Sequence, residues 1–467
     1  MLTETANRDS RFSYWLRVRE FAVPPSMIET ATARRSTGDW AGACAAAGID
    51  TDLNLRSVAR AHGRELAARV RADLRHLAPD LLRWHLPRIA PDGLLRPGLT
   101  IALARYDAGG RDSPRPVRLV VRTPPAWADG GQRISLALWN GSLSDAGTRR
   151  HPHPHPHRRF RLDLHRHLWD ARRADELRSR SGADRPPADG RPAPNPWLTA
   201  PVQRLHRAAV DRWAEEAGIL LRAEGLPTGP VTVRCGARHR LLLEPDGDGH
   251  GPPALRISAA PMDGVAAALP VLPDAATWVP PDLELLRAGA IEAGRLHPLV
   301  ASALAPDHSP PGPGREPDPT GRPRLVECRG ARHRIGLVNG VLVPLDHDPA
   351  EIRREELLVA LTGTPLPCLR AIDEAHRRPH CLAGVRERLV HGDIAGALSV
   401  VEGLLGPDAV LRNGALRDEL EAAALRRVTY GLFRAGLTGG RPGPDGVPAD
   451  RLRSRDHVSR PRLAAFR

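Results

Sequence analysis

The chain has 467 residues, 41% apolar and 26% charged, which is enough apolar content for real cores and too much for wholesale disorder. At that length, about two to four domains are expected. Its formal net charge of +14 is carried by arginine alone, since none of the 68 Lys+Arg residues is a lysine. A P-loop lysine, a Schiff-base lysine and the ATP-anchoring lysine of a kinase are therefore excluded. GC-rich codons for Arg, Ala, Gly and Pro account for the bias.

Residues 1–21 lack the basic-then-apolar layout of a signal peptide, because Arg8, Arg11, Arg17, Arg19 and Glu20 interrupt them. No stretch reaches the roughly 18 apolar residues of a membrane span. Cys44, Cys235, Cys328, Cys368 and Cys381 are odd in number and scattered, so reduced thiols are expected rather than a disulfide framework. These features predict a cytoplasmic protein with no membrane partner.

Residues 1–90 are predicted to form an N-terminal helical module. Ser26 and Glu29 have capping-box spacing, and Gly38-Asp39 turns into a short Ala-rich helix. A longer helix follows, with Leu66, Val70, Leu74 and Leu77 as its apolar stripe. Its other face carries Arg56, Arg60, Arg64, Arg71 and Arg75, either a solvated face or a track for a phosphate backbone.

Over 97–140 the texture changes to three alternating runs, around Ile101, Val117–Val121 and Ile134–Leu138, which predict an antiparallel meander with one buried face. Residues 141–196 are expected to be a His/Pro/Arg-rich linker. Within it, His151, His153, His155 and His157 alternate with proline, ahead of His165 and His167. Imidazoles can hold zinc, nickel or copper, but alternating prolines keep the chain extended, so incidental metal affinity is expected there.

A helix over about Leu198–Ala223 and strands over 230–258 make up a 198–308 module. A Pro-rich linker at 309–323 leads to a β-meander at 324–346, in which Asn339-Gly340 signals a tight hairpin. Residues 349–437 are predicted to be a C-terminal helical module. Its last helix carries Leu416, Leu420, Ala424 and Val428 as one stripe, either core or a groove for a partner segment. Residues 438–467 are expected to be a disordered basic tail.

Two internal echoes stand out. Val233-Arg234-Cys235-Gly236-Ala237-Arg238-His239-Arg240 returns as Val326-Glu327-Cys328-Arg329-Gly330-Ala331-Arg332-His333-Arg334. Each copy reads as a hairpin looped at Gly-Ala-Arg or Arg-Gly-Ala-Arg, with a Cys beside a His at its mouth. Three chemistries fit: a buried thiol packed on a histidine, a Cys-His nucleophile, or a pooled zinc site of Cys235, His239, Cys328 and His333. The second echo is Gly38-Asp39-Trp40-Ala41-Gly42-Ala43 against Gly392-Asp393-Ile394-Ala395-Gly396-Ala397. It resembles the inter-helix turn of tetratricopeptide-type repeats over those six residues, without a 34-residue period, and so implies helical hairpins alone.

Nucleophile-elbow, His-Glu-x-x-His, Cys-x-x-Cys and dinucleotide glycine motifs are all missing. Residues 244–250 read as an inter-strand turn rather than a calcium loop. Asp346-His347-Asp348 can orient an imidazole as general base, but Asp348 before Pro349 is also a ready helix N-cap. The expectation is an α+β fold, with helical modules at both ends flanking antiparallel β-meander and hairpin segments. The function expected is a non-catalytic cytoplasmic adaptor or scaffold that binds unidentified protein partners through its helical modules. A nucleic-acid-binding protein and a zinc protein are the alternatives, with zinc as the one candidate cofactor.

Overall fold

Gly63 decides the shape of the N-terminal module. Its φ of +90° costs glycine nothing, and it splits the expected long helix into Leu55–His62 and Arg64–His76. Leu66, Val70 and Leu74 lie on the buried face of the second helix, and Leu77 follows at its C-cap. A helix over Leu2–Phe21 precedes them, and the next, Pro25–Ser36, begins on a proline after the Pro24 N-cap. The Ser26–Glu29 capping box is not made there, because a proline at N1 already starts the helix without needing a side-chain cap.

The computed structural model describes residues 2–107, 116–141, 151–185, 208–236, 239–246, 254–260, 268–308, 324–363 and 365–437. Two units are present: the first is 1–127, 133–310 and 436–467, the second 128–132 and 311–435. The fold is α+β with helices at both ends and several small sheets between them, as predicted.

In the first unit, β1 (Ile49–Thr51) and a short hairpin of β2 (Arg88–Ile89) and β3 (Leu94–Leu95) precede the meander. The meander itself is β4 (Thr100–Tyr106), β5 (Val117–Arg122) and β6 (Ile134–Trp139), antiparallel as its alternation predicts. β1 pairs with β6 in parallel, giving the order β1-β6-β5-β4. Ala102 pairs with Val120 and Ala104 with Leu119, so Leu103 is an extra residue in a β-bulge. The bulge resets the alternation, and Ile101, Leu103, Ala104 and Tyr106 all reach the main core. One buried face is expected, but both are buried: Val120, Ala137 and Trp139 form a second cluster.

The segment expected to be a linker covers the free edge of this sheet. The His157 N–H donates to the Thr100 carbonyl (2.8 Å), the Thr100 hydroxyl donates to the His153 carbonyl (2.7 Å), and Arg161 bridges Ala102 in parallel. Alternating prolines offer no N–H to a further strand, so the tract ends the sheet rather than extending it. Phe160, Leu162, Leu168, Trp169 and Leu177 then enter the main core. Residues 151–185 are therefore folded, while 142–150 and 186–196 lie outside the described residues.

Several arginines of this segment are paired with carboxylates of the first unit. Arg166 and Arg172 both grip Asp73 (2.5 and 2.8 Å) and Asp170 (2.7 and 2.8 Å), and the Tyr106 hydroxyl donates to Asp73 (2.8 Å). Arg180 pairs with buried Glu216 (2.6 Å), and Arg159 with Asp274. The high arginine count of the segment thus fastens a helix, a sheet and a loop together.

Farther along, the helix is shorter than expected, Trp213–Ala223, and residues 198–207 lie outside the described residues. β7 (Val231–Arg234), β8 (Arg240–Asp246) and β9 (Ala254–Ala259) form an antiparallel meander whose Val231, Val233, Leu241, Leu243 and Ile257 pack with Trp213 and Leu220.

Several histidines of the first unit are held neutral. Burial, outweighing Asp282, pushes His85 down to about 4; burial and then Arg159 push His157 down to about 4. His165 and His167 are driven well below the ordinary value by burial, with Arg180 adding to it in both. Unfolded, each would titrate near 6.5, so below that pH the unfolded chain binds more protons. Stability is full above about pH 6.5 and falls as pH drops towards about 4. Urea unfolding of the first unit is expected to have a lower midpoint at pH 4.5 than at pH 7.5; equal midpoints would contradict the neutral-histidine core.

In the second unit, β10 (Arg324–Cys328), β11 (Ala331–Val338) and β12 (Val341–Pro344) form an antiparallel sheet. Both connections are two-residue turns with positive φ at each position, Arg329-Gly330 (+53°, +79°) and the predicted Asn339-Gly340 (+52°, +77°). The first loop is thus shorter than the four residues expected. Helices follow at Pro349–Thr362, Pro367–Arg377, Leu382–His391, Ile394–Leu405 and Ala415–Ala435. A small core of Cys328, Ile335, Leu366, Cys368 and Ile372 joins sheet to helix, and a larger one lies among the last four helices.

The glycine-aspartate echo is a structural echo. Asp39 and Asp393 both cap helices, accepting from Gly42 N (2.8 Å) and Gly396 N (2.9 Å). In each, the carboxylate occupies the place a Cβ of that glycine would take. Arg34 and Arg388, five residues before each aspartate, hold the other oxygen at 3.3 and 2.7 Å.

The last helix departs from its predicted stripe. Leu416, Ala423 and Tyr430 are buried and Leu420 half-buried, while Ala424 and Val428 face solvent. A strict spacing of four drifts about 40° per step on a 3.6-residue helix, so such a stripe walks off the core face.

Candidate metal centre

Cys328, His347 and Cys368 of the second unit bring one ligand atom each within 4.8 Å of one another. Each comes from a different element. Cys328 ends β10, and strand alternation with the observed register puts it on the face shared with Val326, His333 and Ile335. His347 sits in the turn after β12, between Asp346 and Asp348. Cys368 is the second residue of the helix Pro367–Arg377, whose start is set by Pro367.

The surroundings orient the donors. Arg334 holds Asp346 through its backbone N–H (2.7 Å) and its guanidinium (2.6 Å), lowering the carboxyl to about 2. Asp348 caps the next helix by accepting from Ala350 N (2.9 Å), the role its place before Pro349 predicts. Between these anchors, His347 Nδ1 faces Glu351 at 3.5 Å, and Glu351 also takes Arg329 at 2.5 Å. With Nδ1 turned towards Glu351, Nε2 is the nitrogen left to ligate, the orientation that outer-sphere carboxylates give to ligating histidines.

Two further observations mark the spot. His347 Nε2 and His333 Nδ1 are buried without a hydrogen-bond partner, and the two rings stack with centroids 4.2 Å apart. Leaving such a group unsatisfied costs roughly 1–3 kcal/mol, a penalty that a cation removes for a ligating nitrogen. Burial, then the neighbouring Cys328 thiol, push Cys368 up to about 11. The thiol is therefore protonated on its own, and a metal would displace that proton. Two sulfurs with imidazole nitrogen form a donor set suited to zinc. Cys328 and Cys368 are 1% and 0% exposed and the His347 side chain 3%, so substrate has no access.

The pooled set expected from the first echo draws on both units, whereas the cluster described above lies within the second. Cys235 and His239 belong to the first unit, Cys328 and His333 to the second. The Cys235 N–H makes the expected hairpin pairing, donating to the His239 carbonyl (3.0 Å), but the thiol is buried in the first unit and the His239 side chain is exposed. Burial pushes the Cys235 thiol up to about 12, the reverse of an activated nucleophile. In the sequence, Asp346-His347-Asp348 offers either a general base or a helix cap, and nothing marks Cys368; a Cys 21 residues past the histidine, at a proline-started helix, matches no short motif.

Arg56, Arg60, Arg64, Arg71 and Arg75 are all exposed. They form two groups, since Gly63 divides the helix that was to carry them in one line. In the His-Pro tract, His151 Nε2 donates to the Thr123 carbonyl (2.9 Å) and Nδ1 accepts from His153 N (3.3 Å), so that ring serves the sheet edge. No family model matches the chain, and no curated protein and no solved structure matches it. Among the described residues, no helix is long and apolar enough to cross a membrane.

Proposed function

We propose that the second unit is a zinc-binding module in which Cys328, His347 and Cys368 are ligands and His333 supplies the fourth donor. The convergence of three ligand atoms from three separate elements carries this reading. Because the site is closed to solvent, the role proposed for zinc is structural: it clasps the β10–β12 sheet to the helix Pro367–Arg377. In this reading the protein works without catalysis, as an adaptor that holds its helical modules rigid for protein partners. Reduced thiols at the centre suit a cytoplasmic location.

Elemental analysis of tag-free full-length protein is the test. About one zinc per chain is expected, as a closed four-ligand site retains its ion; less than about half an equivalent ends the reading. Removing residues 151–157 to silence their histidines is not a usable control, because that tract covers a sheet edge.

A second reading, nucleic-acid binding, is favoured by the five exposed arginines of the N-terminal module. It predicts affinity that falls more than about tenfold between 50 and 200 mM salt and is lost when Arg56, Arg60 and Arg64 become alanine. Absence of binding at 50 mM salt removes it.

A further inference from the structure

The metal reading leaves unused a cavity of about 210 Å³ in the first unit, bounded by the β4–β6 sheet, residues 155–161, the end of the helix Trp213–Ala223 and residues 270–271. Three guanidinium groups line it, from Arg118, Arg158 and Arg161, together with Trp139, His155 and one carboxylate, Glu224. Arg161 is already committed, to Asp163 at 2.8 Å and Glu224 at 2.6 Å. Arg158 donates to the Ala268 and Leu269 carbonyls at 3.1 and 2.9 Å.

Arg118 differs from both. Half-buried on β5, its guanidinium lies 5.4 Å from the Trp139 ring centroid, and it has no hydrogen bond or ion pair among the described residues. Trp139 in turn holds its indole N–H buried without a partner. Burial lowers the Arg118 pKa from its ordinary value; Asp163 opposes this, while Arg161 and Arg105 add to it. The cavity therefore presents donors and positive charge in excess, and the single carboxylate is occupied by Arg161.

We propose that this cavity binds the oxyanion of a small molecule, a phosphate or carboxylate group, with Arg118 as charged donor and the Trp139 indole N–H as neutral donor. A guanidinium offers two parallel N–H groups to such an anion, and each hydrogen bond to a charge exceeds a neutral one in strength. The volume lies below the roughly 300–1,000 Å³ of drug-sized pockets, which restricts the ligand to a compact molecule.

Calorimetric titration of inorganic phosphate into the full chain, with chloride holding ionic strength constant, tests the proposal; acetate in a parallel titration separates the two oxyanion sources. Saturable 1:1 binding of at least one anion is expected. Arg118→Gln is expected to weaken it about tenfold or more, whereas Arg427→Gln, with the same charge change on the exposed face of the helix Ala415–Ala435, leaves it unchanged. Trp139→Phe keeps the ring and removes the N–H, and is expected to weaken binding several-fold; it decides the matter if circular dichroism shows that Arg118→Gln does not fold. Failure of both anions to saturate, or equal affinity in wild type and the deciding variant, overturns the proposal. Neither result depends on zinc in the second unit.

Discussion

Replacing Cys368 by serine in the full chain is expected to abolish stoichiometric zinc and to lower the unfolding transition of the second unit. The magnitude follows from linkage: an ion present at a thousand times its dissociation constant stabilises the folded form by ~4.1 kcal/mol. For a unit of about 130 residues, each kcal/mol moves the melting temperature by about 3–5 °C, so a fall of about 12 °C or more is expected. Chelation of the wild-type protein should reproduce the shift, and chelation of the Cys368→Ser variant should add little to it. Cys381→Ser is the control, because Cys381 is not among the clustered ligands. If all three proteins melt together with and without chelator, Cys368 packs as an ordinary buried thiol.

The second large effect is expected from Trp169→Ala. Trp169 is fully buried in the main core of the first unit, with its indole N–H donating to the Leu162 carbonyl at 3.0 Å and Arg166 over its ring at 4.7 Å. Large-to-small changes at such a site cost about 3–5 kcal/mol, through lost transfer energy and the cavity left behind. For a larger unit this corresponds to about 10 °C in melting temperature. A true linker tolerates the same change within about 0.5 kcal/mol. Differential scanning calorimetry distinguishes the two, and an unshifted first-unit transition would return residues 151–185 to the status of a connector.

What could be read in the sequence was local. Asn339-Gly340 names its own hairpin because positive φ at two adjacent residues is a local demand, and the Gly-Asp caps repeat because the cap is complete within four residues. The alternation of β4, β5 and β6 was readable for the same reason. Misreadings arose where a partner lies far along the chain. The alternating His-Pro run has the texture of a low-complexity spacer, and only its pairing with Thr100 and Ala102, about 50 residues earlier, shows it as a sheet edge. A single Gly63 within a periodic stretch carries no strong local signal, yet its φ cuts the arginine line in two.

The metal centre shows the same division. Cys328 and His333 were found because one hairpin brings them to one face, and local alternation is enough to say so. Whether the matching pair at Cys235 and His239 meets them is a question of tertiary placement that hairpin geometry leaves open. Within the second unit the clustered side chains are His347 and Cys368, supplied by a turn and a helix start whose sequence signals concern capping rather than ligation. Asp346-His347-Asp348 shows how one tripeptide can serve both: its aspartates anchor the turn and cap the helix, and the histidine between them faces the thiols.

X-ray absorption at the zinc edge, measured on the tag-free full-length protein, tests the central claim most directly. Two sulfur neighbours at about 2.3 Å and imidazole nitrogen at about 2.0 Å are expected, the distances of thiolate and histidine ligation. A zinc edge that is absent, or a shell of nitrogen and oxygen alone such as His151–His157 would furnish, would contradict a metal centre built on Cys328, His347 and Cys368.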